Sequence, residues 1–315
     1  MKVLVLGYGS MGRRHATLAL ELGCDVAVYD PAHNSEQLVL ELLPYTTYNA
    51  DLARQQQVVA FSREDDAWAW EPDAVVIATP AYMHSENLHE AAVRLGVPIF
   101  IEKPLALSVN DYRGEGACWV AGDAGFTMPH VQVGYNWRFH PIVCGFRQRA
   151  VELGPARVAS IWVASDMRTW PGKNYADALL ECSHELDLAL DLFGPVELGS
   201  PVTPVKRDIM RDAWRLELHH ATGCRTFVTI AGLAARPLRG LRALFGEYEG
   251  GYDVPPDDPR SVEALDISYV RELRYFLDVV AGRTPPDYDG SPRPASLQDG
   301  LNVLELVDRA RALVV

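Results

Sequence analysis

Apolar positions in the first third of the chain fall into short runs separated by amphipathic stretches. Lys2 to Leu6 is a branched-aliphatic run of strand length that ends in Gly7-Tyr8-Gly9-Ser10-Met11-Gly12. Arg13 to Leu22 follows with alanines and leucines and no proline, and Gly23 stops it, which predicts a helix. Asp25 to Tyr29 reads as a second strand, closed by Asp30-Pro31. Ala74 to Ala78 is apolar throughout, as a parallel strand buried on both faces should be, and Thr79-Pro80 breaks it. Ser85 is placed to cap a helix running to Leu95, where Gly96 closes it. Val97 to Ile101 is a further strand, ending in Glu102-Lys103-Pro104. Strands alternating with helices in this way predict a doubly wound parallel sheet.

The texture changes downstream. Ala156 to Ala164, Trp214 to His220 and Thr226 to Ala231 alternate apolar with polar residues, which predicts longer antiparallel strands with one wet face. Ser183 to Phe193 reads as a helix ended by Gly194-Pro195, Ser268 to Val280 as another ended at Gly282, and Leu297 to Leu313 as the last. Tyr252 to Arg260, rich in Pro and Asp, reads as an exposed loop. The expected fold class is α/β, with two domains. Residues 1–124 form a doubly wound parallel sheet, and residues 125–315 form an α+β domain with a large, mostly antiparallel open sheet.

Length and charge narrow what such a protein binds. The 315 residues suffice for two domains, and 48% hydrophobic with 23% charged residues is ordinary for a folded globular chain. Against 29 Lys+Arg stand 42 Asp+Glu, a net charge of -13, which argues against nucleic acid and against an anionic membrane surface as partner. No run approaches the roughly 18 apolar residues needed to span a bilayer, and the N-terminus does not read as a signal peptide. The five cysteines, Cys24, Cys118, Cys144, Cys182 and Cys224, are scattered without a CxxC pair. Reduced thiols in a cytoplasmic protein are the expectation.

The glycine turn has the context that gives such a motif meaning: a strand before it, a helix after it and an acid at the end of the next strand. Gly7 permits the tight turn, Gly9 lets backbone approach a pyrophosphate, and Gly12 lets the helix pack close. The helix start supplies partial positive charge, and Ser10 and Met11 complete the turn. Asp30 stands where a carboxylate binds both ribose hydroxyls, so NAD is expected over NADP, whose 2′-phosphate would meet negative charge. Arg13 and Arg14 run against that preference if either reaches the ribose, but on the first helical turn they face the pyrophosphate or solvent. The N-terminal domain is therefore read as a Rossmann domain.

Five segments in order resemble a family: Gly7 to Gly12; Ala78-Thr79-Pro80 with His84; Glu102-Lys103-Pro104; Gly134-Tyr135-Asn136-Trp137-Arg138-Phe139-His140-Pro141; and Ser183-His184-Glu185-Leu186-Asp187. With Leu297 to Ala310 they look like the Gfo/Idh/MocA oxidoreductases, named for glucose–fructose oxidoreductase, inositol dehydrogenase and rhizopine catabolism. The resemblance implies that Lys103, at the carboxyl edge of the sheet, reaches the reacting oxygen and the nicotinamide ribose, and that His184 donates or accepts the proton. An imidazole titrates near neutrality, which suits it to that task. The same resemblance places Thr79, Pro80, His84 and Glu102 on the cofactor side.

Substrate-side candidates follow. His184, Asp187 and Asp191 share a helix face, with Asp187 placed to bind hydroxyls or orient His184 and Asp191 left to solvent. A metal held by these three lacks a fourth ligand, so no metal is expected. Many relatives carry Asp four residues before the histidine; here that position is Leu180, and Glu181 lies one residue later. Relatives with the Ser-His-Glu-hydrophobic-Asp signature, linked to sugar and cell-surface carbohydrate pathways, look closer. Arg138 is a counter-charge for a substrate phosphate or carboxylate. Tyr135 and Asn136 are candidates for hydroxyls or nicotinamide, and Lys173 and Tyr175 for substrate.

The resulting expectation is an NAD-dependent oxidoreductase moving hydride to or from a carbinol or keto carbon of a sugar, sugar nucleotide or cyclitol. The resemblance also implies a homodimer or homotetramer built on the open face of the second sheet. Reduction of an imine or other double bond, and a non-catalytic NAD-binding regulator, stand as alternatives.

Overall fold

A computed structural model describes residues 1–32, 58–113, 128–167, 178–196, 203–208, 213–254, 259–288 and 292–313. Packing divides the chain into two compact units, Met1–Gly134 with Val270–Pro286, and Tyr135–Tyr269 with Asp287–Val315.

In the first unit the elements run β1 (Lys2–Leu6), α1 (Ser10–Glu21), β2 (Asp25–Tyr29), β3 (Val58–Phe61), α2 (Glu64–Trp68), β4 (Ala74–Ile77), α3 (His84–Arg94), β5 (Ile99–Glu102), α4 (Asn110–Arg113) and β6 (Val131–Gly134). The strands lie in the order β6-β5-β4-β1-β2-β3, all parallel. The winding reverses between β1 and β4, so the carboxyl ends of those strands flank the crevice where doubly wound sheets bind ligands. Every residue of β4 and β5 is buried, as their unbroken apolar composition requires. Val3, Val5, Val26, Val28 and Phe100 pack with α1 and with Leu273, Phe276 and Leu277 in one core.

Three element starts differ from expectation. α1 begins at Ser10 rather than Arg13, so its first turn lies inside the glycine motif. α3 begins at His84 after a 3-10 turn over Ala81–Met83, and Ser85 does not cap it. β5 starts at Ile99 rather than Val97, because Pro98 has no N–H to give a ladder.

The second unit holds α5 (Pro141–Leu153), β7 (Val158–Asp166), α6 (Ala178–Glu181), α7 (Ser183–Phe193), β8 (Thr203–Asp208), β9 (Ala213–His219), β10 (Arg225–Ala231), β11 (Leu233–Phe245), β12 (Tyr248–Val254), the first part of α8 (Pro259–Val280) and α9 (Leu297–Ala312). From Val270 onward α8 belongs to the first unit. The sheet order is β12-β11-β7-β10-β9-β8. Its pairings are antiparallel except β7 with β10, which run parallel with Ile161 opposite Val228. Alternation along a strand sets its faces, not its partner's direction, so that one pairing was not legible. Ile161, Leu216, Val228 and Leu241 line the buried face.

Tyr252 to Arg260 is not a single loop. Tyr252 to Val254 ends β12, and Pro259 opens α8, well before Ser268. Proline at a first helical position has the φ a helix needs and loses no bond. Ser296 caps α9 through a reciprocal pair, its Oγ accepting the Asp299 N–H while the Asp299 carboxylate accepts the Ser296 N–H.

Candidate functional site

The glycine turn has the close approaches its residues imply. Gly7 adopts φ +87°, and a Cβ there would stand 2.8 Å from the Ala78 and Thr79 backbone. A Cβ on Gly12 would stand 1.9 Å from Gly7 O, so only glycine lets α1 sit on the turn. Gly9 is the opposite case: a Cβ there meets nothing within 4 Å. Gly9 is also the N-cap of α1 and brings no capping side chain, and Ser10 beside it is exposed. An open space against uncapped helix N–H groups fits a pyrophosphate.

Asp30 stands at the end of β2. Its Oδ2 accepts the Tyr8 N–H at 2.6 Å and its Oδ1 accepts the Ala32 N–H at 2.8 Å. A carboxylate keeps lone pairs beyond these two, so it still fits ribose hydroxyls. Arg13 folds back, its Nε donating to Tyr8 O at 3.2 Å and its guanidinium lying 5.1 Å from the Tyr8 ring centroid.

The edge of β4 and β5 is tied together by His84. This residue is 1% exposed, with ring nitrogens 2.8 Å from Thr79 O and 2.9 Å from Pro104 O. A neutral imidazole donates to only one of those carbonyls. Burial holds the His84 pKa below its ordinary value. The expected cofactor contact is therefore corrected: His84 is a buried brace between two backbone carbonyls, donating its one N–H to one of them. The Thr79 hydroxyl donates to Asn87 Oδ1 at 2.7 Å, and Pro80 is exposed beside it. Lys103 is half-buried just beyond β5, before a cis bond to Pro104. The Glu102 carboxylate is buried, with its Oε1 2.6 Å from His15 Nε2.

In the second unit, His184 is the second residue of α7 and is 7% exposed. Tyr135 meets its ring edge-on, with centroids 5.7 Å apart. Burial pushes the Tyr135 phenol up. Asn136 is buried and its Nδ2 donates to Ser268 Oγ at 2.7 Å. Leu180 and Glu181 lie on α6, both buried. Lys173 and Tyr175 lie outside the described residues.

Arg138 and Asp187 require a correction. Both are inaccessible, and Arg138 Nε and Nη2 grip the Asp187 carboxylate at 2.9 Å and 2.6 Å. Neither is left for substrate. Asp191, expected in solvent, is enclosed between Arg147 and Arg138. Arg293 joins Asp299, so three arginines face three aspartates in one balanced cluster. Burial pushes Asp187 up to about 6 against the pull of Arg138, while the carboxylates hold Arg138 charged. A signal for this existed in the sequence: from Leu186 to Phe193 α7 is apolar apart from Asp187 and Asp191, and acids on such a helix need buried partners. Glu185 is a further case, fully buried, with Arg239 Nε at ion-pair distance (2.7 Å) but off the hydrogen-bond line. The Arg239 guanidinium lies 4.1 Å from the Trp137 ring centroid.

Among the described residues no group of three or more His, Cys, Asp or Glu is arranged to hold a metal ion, and no helix is long and apolar enough to cross a membrane.

Residues 1–114 match the family profile described as an oxidoreductase family with an NAD-binding Rossmann fold, GFO_IDH_MocA. Inositol 2-dehydrogenase of Corynebacterium glutamicum is 33% identical over 153 residues, 46% of this chain and 43% of that one. The match thus spans less than half of that relative. Among solved structures, UDP-N-acetylglucosamine 3-dehydrogenase GnnA from Acidithiobacillus ferrooxidans superposes with a TM-score of 0.69 at 23% identity, over 99% of this chain and 97% of its own. Myo-inositol dehydrogenase from Lactobacillus casei, solved with NAD(H) and myo-inositol, gives 0.70 at 18% identity, over 99% and 94%. At these identities the structures establish a shared fold.

Proposed function

Residues 1–114 belong to the Gfo/Idh/MocA family of oxidoreductases with an NAD-binding Rossmann fold, and from that premise we propose that the chain is an NAD(H)-dependent oxidoreductase acting on a CH–OH or keto carbon of a sugar, sugar nucleotide or cyclitol. The observation that carries the reading is the glycine turn, where Gly9 leaves open space against an uncapped helix start and Asp30 sits beside it. The bound nicotinamide supplies the hydride acceptor or donor. Lys103 polarises the reacting oxygen with its ammonium group. His184 takes the hydroxyl proton, or returns it, through its imidazole. Tyr135 supports that ring from its edge. Glu181, Lys173 and Tyr175 remain the candidates for substrate hydroxyls, and Arg138 and Asp187 are withdrawn from that set by their mutual pairing.

We also infer a homo-oligomer formed on the open face of the second sheet. Leu238 and Leu244 of β11 are exposed, and Arg242 lies over Trp162 on this face. Light scattering that shows a monomer removes this part. Buried thiols at Cys24, Cys144, Cys182 and Cys224 suit a reducing compartment, and we place the protein in the cytoplasm.

The test is NADH binding followed by turnover of myo-inositol and UDP-N-acetylglucosamine with NAD, in the wild type and in Lys103→Met. The expected result is saturable NADH binding in both proteins and turnover in the wild type alone. Absence of binding at millimolar NADH and NADPH sinks the reading, and full turnover in Lys103→Met removes Lys103 from the chemistry.

A further inference from the structure

Beneath the glycine turn, α1 carries a histidine that hydride transfer does not use. His15 is fully buried, and its Nε2 lies 2.6 Å from Glu102 Oε1. Glu102 Oε2 accepts the Lys103 backbone N–H at 3.1 Å. One carboxylate therefore holds α1 with one oxygen and the main chain of residue 103 with the other.

The enclosure around it is close. A Cβ on Gly134 would stand 3.2 Å from Glu102 Cδ and Oε1 and 3.3 Å from Oε2, so β6 covers the carboxylate with bare backbone. Phe100 packs against the other side of the pair, its ring centroid 4.9 Å from that of His15. His15 Nδ1 has no hydrogen-bond partner, which assigns the donated proton to Nε2. Burial alone would raise the Glu102 pKa, but His15 and Lys103 outweigh it and hold the group below the usual carboxylate range. A buried carboxylate in this state needs both donors, because an unanswered buried charge is costly.

The connectivity gives the pair a direction. α1 starts at the turn that fits the pyrophosphate, and Lys103 carries the ammonium group assigned to the reacting oxygen. We propose that the His15–Glu102 pair is a positioning device that fixes Lys103 relative to the dinucleotide turn, which makes His15 a positioning residue for the reaction. The proposal rests on the reading of Lys103 given above. Misplacement of a reacting group by about 1 Å can cost about 100-fold in rate, so a rigid link between the two binding elements matters to catalysis.

The test compares His15→Gln, His15→Leu and Glu102→Gln with the wild type. Gln keeps an N–H near the position of Nε2, whereas Leu fills the space and leaves Glu102 Oε1 without its donor. The Glu102→Gln amide has one acceptor oxygen for two donors. Exchange of the Lys103 backbone amide, read at single-residue resolution, reports the brace itself. NADH titration by fluorescence reports the cofactor site.

In the wild type the Lys103 amide should be protected. Exchange should stay near wild type in His15→Gln and rise by about tenfold or more in His15→Leu and Glu102→Gln, the scale of one lost hydrogen bond. NADH affinity should change little in all three. On any substrate that turns over, kcat should fall in His15→Leu and recover in His15→Gln. A wild-type Lys103 amide that exchanges like an open loop overturns the proposal. So does a folded His15→Leu or Glu102→Gln with undiminished protection, or a His15→Gln as impaired as His15→Leu. If His15→Leu does not fold, Glu102→Gln against His15→Gln decides. A wild type that binds no NADH sinks the assigned function instead, and leaves the exchange comparison readable.

Discussion

Asp30 Oδ2 accepts the Tyr8 backbone N–H at 2.6 Å, so the acid at the end of β2 is fastened to the middle of the glycine turn. The carboxylate proposed to meet the ribose is thus also the one that shapes the glycine turn. Asp30→Ala should therefore weaken NADH by about tenfold or more, the scale of a charged hydrogen bond, and narrow the gap between NADH and NADPH. Fluorescence titration with both dinucleotides checks this. Unchanged NADH affinity would place the ribose away from Asp30.

Two glycines of the motif separate folding from binding. Gly12 has no room for a methyl group, with Gly7 O at 1.9 Å from the Cβ position, so Gly12→Ala should destabilise the first unit. Gly9 has nothing within 4 Å, so Gly9→Ala should unfold at the wild-type temperature. Yet its methyl group would occupy the space that fits a pyrophosphate, and NADH affinity should drop by about tenfold or more. Calorimetry and titration on the two variants form the check. A Gly9→Ala that binds NADH normally argues against that placement.

The sequence was most informative where one residue type has one physical reason. The parallel strands showed in runs such as Ala74 to Ile77, because burial on both faces removes polar residues. Gly7 and Gly12 sat where backbone contact leaves no alternative. What stayed hidden depends on contacts between distant segments. Arg138 and Asp187 are 49 residues apart, and their pairing follows from the packing of α7, not from either local pattern. His15 and Glu102 are 87 residues apart, and neither local pattern shows that the mid-helix histidine of α1 meets the carboxylate at the end of β5. The parallel pairing of β7 with β10 belongs to the same class, since alternation is blind to direction.

Arg138 and Asp187 make a fully buried bidentate pair. Removing one partner strands the other charge, which costs about 3–5 kcal/mol in comparable cases. Arg138→Met should lower the unfolding temperature of the second unit by on the order of 10 °C. Arg138→Met with Asp187→Leu should recover part of that loss, because the stranded carboxylate is gone. Thermal unfolding of these two variants and of Asp187→Leu alone measures it. Loss in the double variant equal to the two single losses added together would show that the pair is not coupled.

Two buried histidines should make stability depend on pH below neutrality. Burial lowers the pKa of His84 in the first unit and of His220 in the second from the ordinary 6.5. The unfolded chain therefore takes up protons first as pH falls, so their stabilising effect is complete above 6.5 and is lost as pH drops through 6.5 towards the folded values. Each contributes at most about 1.4 kcal/mol per pH unit over that window. Asp187 acts the other way, because a folded pKa of about 6 lets the folded state bind its proton first. Comparison between variants cancels that contribution. His84→Gln and His220→Asn should each flatten the fall in urea midpoint between neutral pH and mildly acid pH, relative to the wild type. His220→Asn keeps a donor for Gly194 O, which Nδ1 now meets at 2.6 Å, so its effect at neutral pH should be the smaller. A wild-type slope retained in both variants would mean that neither histidine is held neutral by the fold.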